Sequence, residues 1–270
     1  GLATALCWSL TAIVFTAASR RIGSLQVNLY RLPMALILLF LIYILVDGRF
    51  AIRQSNLLWL LGSGVVGLAI GDSFLFEAMV LIGARLSMIL MALAPPMTAV
   101  LAYFFLRETV GTLGVLGIII TIGGVSWVVA ERHAGGALFQ AIGLILAKKG
   151  LTDEVSPLFA TLIRMSSATI AMWSVGLLWR KVKNPWHLFT ANPTAVKQMI
   201  IAVIFGPVLG VTLSLAAVKY TETGIAATLI ATVPVVMIPL LIVIEKEWPS
   251  WRAILGAIIT VGGIAILFLR

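Results

Sequence analysis

One cysteine and two histidines are all that this chain of 270 residues offers to redox and metal chemistry. The single Cys7 excludes an intrachain disulfide, and His133 and His187 fall in separate predicted loops, so neither a metal cluster nor a cofactor is expected. Charge is also scarce, at 11% of residues against about 25% in ordinary soluble domains. So few charges cannot assemble a water-soluble surface of the usual kind. The net charge of +9 comes from 19 basic residues, but they are scattered among short loops. No basic stripe exists for a phosphate backbone to follow, so nucleic acid is not an expected partner. The basic residues read instead as contacts to anionic headgroups.

What is abundant is apolar: 61% of residues are hydrophobic, with a mean hydropathy of +1.12. A bilayer core about 30 Å thick needs roughly 20 apolar residues per helix. Ten runs approach that length, at residues 2–19, 25–46, 57–82, 86–106, 112–130, 136–147, 156–179, 197–218, 224–244 and 252–269. Strands of a membrane barrel would alternate polar and apolar residues, and "VLGIIITIGGVSWVVA" does not alternate. The expected fold is therefore an all-α integral membrane protein. Trp59, Trp127, Trp179, Trp186, Trp248 and Trp251 lie near predicted ends, where indole rings prefer the headgroup region. Trp8 does not, which leaves it as interhelical packing or as the aromatic wall of a cavity. The sixth run, with its apolar part at Ala137 to Ala147, is too short to cross a bilayer at about 1.5 Å per residue. It is a half-helix or, as expected here, a span flanked by residues missing near "HAGGA". Residue 1 is a glycine already inside an apolar run, so no signal peptide of the usual form precedes the first span, and the chain is expected to begin after its true start.

The runs repeat. "LMALAPPMTAVLAYFFLRET" at 90–109 and "LIATVPVVMIPLLIVIEKEW" at 229–248 place Pro95 and Pro234, and Glu108 and Glu247, 139 residues apart. At the same offset Gly71 matches Gly210, and "GIIITIGG" at 117–124 matches "GAIITVGG" at 256–263. An offset of 133 aligns Arg31 in "LYRLPMA" with Arg164 in "LIRMSSA". The chain divides into two five-helix units, 1–133 and 134–270. After an odd number of crossings the second unit starts on the opposite side of the membrane. The two units are therefore expected as inverted repeats, an architecture recurrent in secondary transporters.

The stretch "KYTETGIAATLIATVPVVMIPLLIVIEKEWPSWRAILGAIITVGGIAIL" and its counterpart "FEAMVLIGARLSMILMALAPPMTAVLAYFFLRETVGTLGVLGIIITIGGV" resemble the EamA-like family of the drug/metabolite transporter superfamily. Both carry an apolar helix with a central proline, a glutamate-bearing turn and a glycine-paired helix. The resemblance covers nearly the whole chain and is specific for fold but not for cargo. It implies a multi-pass transporter, not an enzyme, with a cavity lined by helices one, three, four, six, eight and nine. It also implies cytoplasmic termini, although the loop lysines and arginines lean mildly the other way. A prokaryotic inner membrane is the expected location, with the protein as monomer or homodimer.

Proline inside a helix removes a backbone hydrogen bond and clashes with the preceding turn, which a membrane tolerates only where protein or a wet cavity satisfies the freed carbonyl. Pro95, Pro96, Pro234 and Pro239 are therefore read as hinges in the fourth and ninth helices. "GSGVVGLAIG" in the third helix and "GPVLG" in the eighth allow close backbone approach.

Ionisable residues inside a span are functional candidates by default. Arg31 sits about 9 Å into the second helix and Glu77 about 8 Å from the end of the third, so a structural Arg31–Glu77 ion pair is expected. Asp72 lies near the midplane with no depth-matched basic partner. Desolvation favours the neutral form of a carboxylic acid, which suits Asp72 to carry a coupling proton or to receive a cationic group. It could equally accept hydrogen bonds from Ser73 or the nearby backbone. Arg164 has Ala216 and Val211 where its twin has Glu77 and Asp72. It either snorkels to the interface or pairs its planar fork with a substrate anion. The expected substrate site is Arg164 with Trp8, Gln140, Thr212, Asp72, Phe76 and Met88.

These features predict a secondary transporter for a small organic metabolite or drug-like solute, working by alternating access and coupled to a proton gradient or to exchange. An intramembrane acyl or phosphoryl transferase is disfavoured because no H-E-x-x-H, G-x-S-x-G or histidine–carboxylate cluster occurs. A passive solute channel would need a pore ring, usually built from several subunits.

Overall fold

The computed structural model describes residues 2–106, 111–128, 135–152, 154–220, 230, 232–244 and 251–268. Among them there is helix and no strand. In chain order come α1 (Leu2–Ile22), α2 (Ser24–Val46), α3 (Gln54–Ser63), a widened π-type segment π1 (Gly64–Gly71), α4 (Asp72–Met91), α5 (Ala94–Leu106), α6 (Thr112–Val128) and α7 (Gly135–Gly150). Next are α8 (Pro157–Leu178), α9 (Pro185–Ala191), α10 (Pro193–Val203), a second widened segment π2 (Ile204–Gly210), α11 (Val211–Tyr220), α12 (Val233–Ile244) and α13 (Trp251–Phe268). Part of every predicted run is helical. Four stretches, 24–46, 54–91, 157–178 and 193–220, are long and apolar enough to cross a membrane. Large side chains such as Ile37, Leu41, Ile44 and Leu45 of α2 stand exposed on one face, while Val27, Leu32, Leu39 and Tyr43 are buried. In water that outer face would be an aggregation surface; in a multi-pass membrane protein it meets lipid.

Local chemistry sets the boundaries. Gly83 adopts φ 84 and ψ 162 inside α4, a conformation open essentially to glycine alone, and so breaks the helix between the third and fourth predicted runs. The helix stops again at Met91 and restarts at Ala94. Pro95 and Pro96 lie in the new first turn, where missing N–H groups cost nothing, so the expected bend falls just before the prolines. Pro234 occupies the first turn of α12, and Pro239 lies inside it. Ahead of α8, the Ser156 side chain accepts from the Phe159 N–H at 3.2 Å, with Pro157 at the first helical position. The segment read as a loop before the eighth run also contains the short α9, capped by Asn184, whose side chain accepts from the Trp186 N–H at 2.9 Å. The sixth run extends to 16 residues because Lys148 and Lys149 continue its last turn, where positive charge suits the helix dipole. The expectation of extra residues near His133, and the Arg107–Glu108 and Lys246–Glu247 turns, fall outside the described residues.

The two halves interlock reciprocally. A Cβ on Gly124 of α6 would meet the Thr260 backbone N at 2.9 Å, and one on Gly263 of α13 would meet the Thr121 N at 2.5 Å. Thr121 and Thr260 are repeat partners, as are Gly124 and Gly263, so one contact is written twice with the roles exchanged. Numbers rise on one helix while they fall on the other, so α6 and α13 run antiparallel. Such exchange is the signature of a two-fold axis. The pattern recurs farther in. Gly67 and Gly71 of π1 face Gly143 and Gln140 of α7, while Gly206 and Gly210 of π2 face Thr11 and Trp8 of α1. Each half thus lays its widened segment antiparallel against the first helix of the other, as inverted repeats require.

Candidate functional site

The two widened segments occupy equivalent places in the repeat, with backbone bonds that reach five residues instead of four; the Gly67 carbonyl, for one, accepts from the Asp72 N–H. In π1 three successive carbonyls also accept from side chains of other elements. Gly67 O accepts from Gln140 Nε2 of α7 at 3.0 Å, and Leu68 O accepts from Arg31 Nη2 of α2 at 3.2 Å. Ala69 O accepts from Ser73 Oγ at 2.6 Å and, at 3.4 Å, from Asn28 Nδ2. Three consecutive carbonyls therefore tie the second, third and sixth predicted runs together.

Arg31 is fully buried, and its partner differs from the expected one. Arg31 donates through Nη2 to Asp72 Oδ2, not to Glu77, which is exposed. Axial depth favours Glu77 and sets Asp72 nearer the midplane, but rotation about the axis decides between them. Five residues turn a helix by about 140°, so only one of the two can face α2. Arg31 is steadied by Nε donating to Asn28 Oδ1 at 2.9 Å and by the Phe76 ring 4.7 Å from its guanidinium. The expectation that Asp72 lacks a basic partner is thus overturned. Its second oxygen, Oδ1, accepts from Gln140 Nε2.

Arg164 of α8 is buried, at 5% exposure. Its backbone lies where a Cβ on Gly64 would come within 2.2 Å of the Arg164 carbonyl oxygen, so the glycine lets α8 sit directly on π1. The Arg164 guanidinium reaches inward past Gly67, whose Cβ would lie 3.3 Å from Nη2, and it interacts electrostatically with Asp72. It does not snorkel outward. No carboxylate among the described residues lies within ion-pair distance, and its Nε has no hydrogen-bond partner. Two arginines related by the repeat thus converge on one aspartate.

Asp72, Gln140 and Arg164 of this cluster line a cavity of about 170 Å³ between the halves. Of the expected site residues, Arg164, Asp72, Gln140, Trp8 and Met88 line it, and Phe76 and Thr212 do not. Phe76 is committed to Arg31 and to Phe15, ring to ring at 5.1 Å, and the Thr212 hydroxyl bonds to Thr161 Oγ1 at 3.4 Å. Trp8 is part of the wall, with Nε1 donating to Ser214 Oγ at 3.3 Å. Pro95 reaches the wall too, as does Thr98 one turn later. Sequence reasoning passed over Thr98 and Asn28; each is a polar residue one helical turn from a residue already singled out, Pro95 and Arg31, and that spacing was the available signal.

No curated protein sequence matches the chain. Among solved structures, one described only as "Crystal structure of protein" superposes with a TM-score of 0.71 at 17% identity, covering 98% of this chain and 93% of the other. That likeness concerns the fold alone. The family profile described as "EamA-like transporter family" matches residues 1–130 and again 134–269. With two copies of that profile along an apolar, helical, multi-pass membrane protein, the chain belongs to the EamA-like transporter family, whose members are transporters rather than enzymes.

Proposed function

We propose that the protein is a secondary transporter that carries a small organic solute across the membrane by alternating access. In this reading ten helices cross the bilayer as two inverted five-helix units, and the cavity between them is the carrier site. The observation that carries it is the placement of the buried Arg31, Asp72 and Arg164 cluster beside a cavity walled by both halves. Charged groups are expensive in a bilayer interior and mark substrate or ion paths there. Helix breaks at Gly83 and at residues 92–93, beside Pro95 of the wall, supply places where helix segments can reorient, as in transporters that rock about a central site.

Transport is coupled to exchange or to a proton gradient, with Asp72 as the carboxylate that would carry the proton. Because Arg31 and Gln140 occupy both of its oxygens, protonation at Asp72 would have to release Arg31, which would link charge movement to rearrangement of π1. The host membrane in this reading is a prokaryotic inner membrane, and the working unit is a monomer or homodimer.

Proteoliposomes test the reading. Counterflow of a solute loaded inside, saturating with concentration and abolished by replacing cavity residues, is the expected result. Flux that does not saturate would indicate a channel, and chemical conversion of the solute would indicate an enzyme.

A further inference from the structure

We infer that the cavity recognises a monoanionic, amphipathic carboxylate, whose carboxylate group takes the Arg164 fork. The inference deepens the transporter reading and takes its biological meaning from it.

The charges support a single negative group. Around the cavity the charged side chains among the described residues are Arg164 and Asp72, with Arg31 bound behind Asp72. Two guanidinium groups and one carboxylate leave one positive charge uncompensated. Arg31 is already satisfied by Asp72, Asn28 and the Leu68 carbonyl. Arg164 is the arginine left over: it is buried, its Nε is unpartnered, and it has no carboxylate at ion-pair distance among the described residues. An unpaired buried charge is unfavourable, and a guanidinium fork matches a planar carboxylate in geometry as well as charge. A dianionic phosphate would overshoot the balance and press its second charge against Asp72.

A second unpartnered atom faces the same space. Thr98 is 8% exposed, its Oγ1 has no hydrogen-bond partner, and it lines the cavity from α5. A hydroxyl or carbonyl elsewhere on the solute would satisfy it. Apart from Gln140, Ser214 and Trp8, the remaining wall is apolar, with Leu75, Met88, Met91, Leu144 and Leu215, and the flexible thioethers of methionine adapt to varied shapes. Water occupies about 30 Å³ per molecule in the liquid, so a solute displacing a handful of waters fits.

The test uses the full chain in nanodiscs, with 4-methylpentanoate and phenylacetate compared with their amides and with phenyl phosphate. Both carboxylates should bind about tenfold or more tightly than their amides, as expected for a lost charge-assisted pair. Arg164→Gln should erase that preference, and Arg164→Lys, which keeps the charge but not the fork, should weaken carboxylate binding only in part. Thr98→Val leaves the charges in place and should weaken a hydroxylated probe, 2-hydroxy-4-methylpentanoate, by about threefold relative to the parent acid. Should Arg164→Gln fail to fold, the acid–amide comparison on the native chain and the Thr98→Val result decide. Equal affinity for acid and amide, preference for phenyl phosphate, or no binding of any probe would overturn the assignment. Counterflow is read separately. Carboxylate binding without counterflow retires the transporter reading and keeps the anion site; saturable counterflow of a neutral solute, unaffected by Arg164→Gln, retires the anion site alone.

Discussion

Gly143 of α7 lies so close to Gly67 of π1 that a Cβ on Gly143 would stand 2.7 Å from the Gly67 Cα. The contact is backbone on backbone and crosses from one repeat to the other, so no flexible side chain can yield. It also sets the distance between Gln140 and the Gly67 carbonyl, which Gln140 bonds at 3.0 Å. The seam between the halves and the polar floor of the cavity are therefore one structure.

Gly143→Val should accordingly separate α7 from π1. The expected outcome is a lower thermal midpoint in detergent together with loss of ligand stabilisation. Overpacking of a close interface typically costs about 1–3 kcal/mol. A midpoint unchanged from the native chain would show that the seam opens without penalty.

The Arg31–Asp72 pair makes a prediction that its burial sharpens. Removing one partner of a buried pair is destabilising by about 3–5 kcal/mol, because the other charge is left uncompensated, whereas replacing both with apolar residues is often tolerated. Arg31→Met should therefore reduce folded yield sharply, and adding Asp72→Leu should recover much of it. A double variant no better than the single would mean that the two side chains do not act as a pair.

Asp72→Asn keeps an acceptor for Gln140 and removes the charge. If Asp72 carries the coupling proton, accumulation driven by a pH gradient should disappear while solute exchange persists, with Arg31→Met/Asp72→Asn used as a companion if the single variant is unstable. Unaltered pH-driven accumulation in the variant would leave Asp72 as an anchor for Arg31 only.

Gly83 holds φ 84 and ψ 162, and a side chain added there meets nothing closer than Arg20 Nη2 at 3.8 Å. Space is therefore not the obstacle to Gly83→Ala; backbone conformation is, at about 1–3 kcal/mol for a residue held in such a region. The measurement is the thermal midpoint, with Ala84→Gly as a control beside it. A Gly83→Ala midpoint equal to the native value would mean that the break relaxes into continuous helix.

Much of the architecture follows from local sequence. Apolar runs need only composition and length, glycine and proline mark breaks through their own backbone chemistry, and the 139-residue register with an odd number of predicted runs per unit leads to the expectation of inversion before any coordinate is known. The site was legible only in part, because axial depth can be counted along a helix but the direction a side chain faces depends on what packs beside it. Counting depth matches Arg31 to Glu77 and leaves Asp72 without a basic partner, yet Asp72 is the carboxylate turned toward it. Thr212 and Phe76 sit at plausible heights but are held by Thr161 and Arg31. Arg164 was marked by the broken symmetry of the repeat. That it turns into the cavity lined by the aspartate its twin binds was decided by the glycine seams that press π1 between α7 and α8, contacts between residues far apart in sequence that no local pattern records.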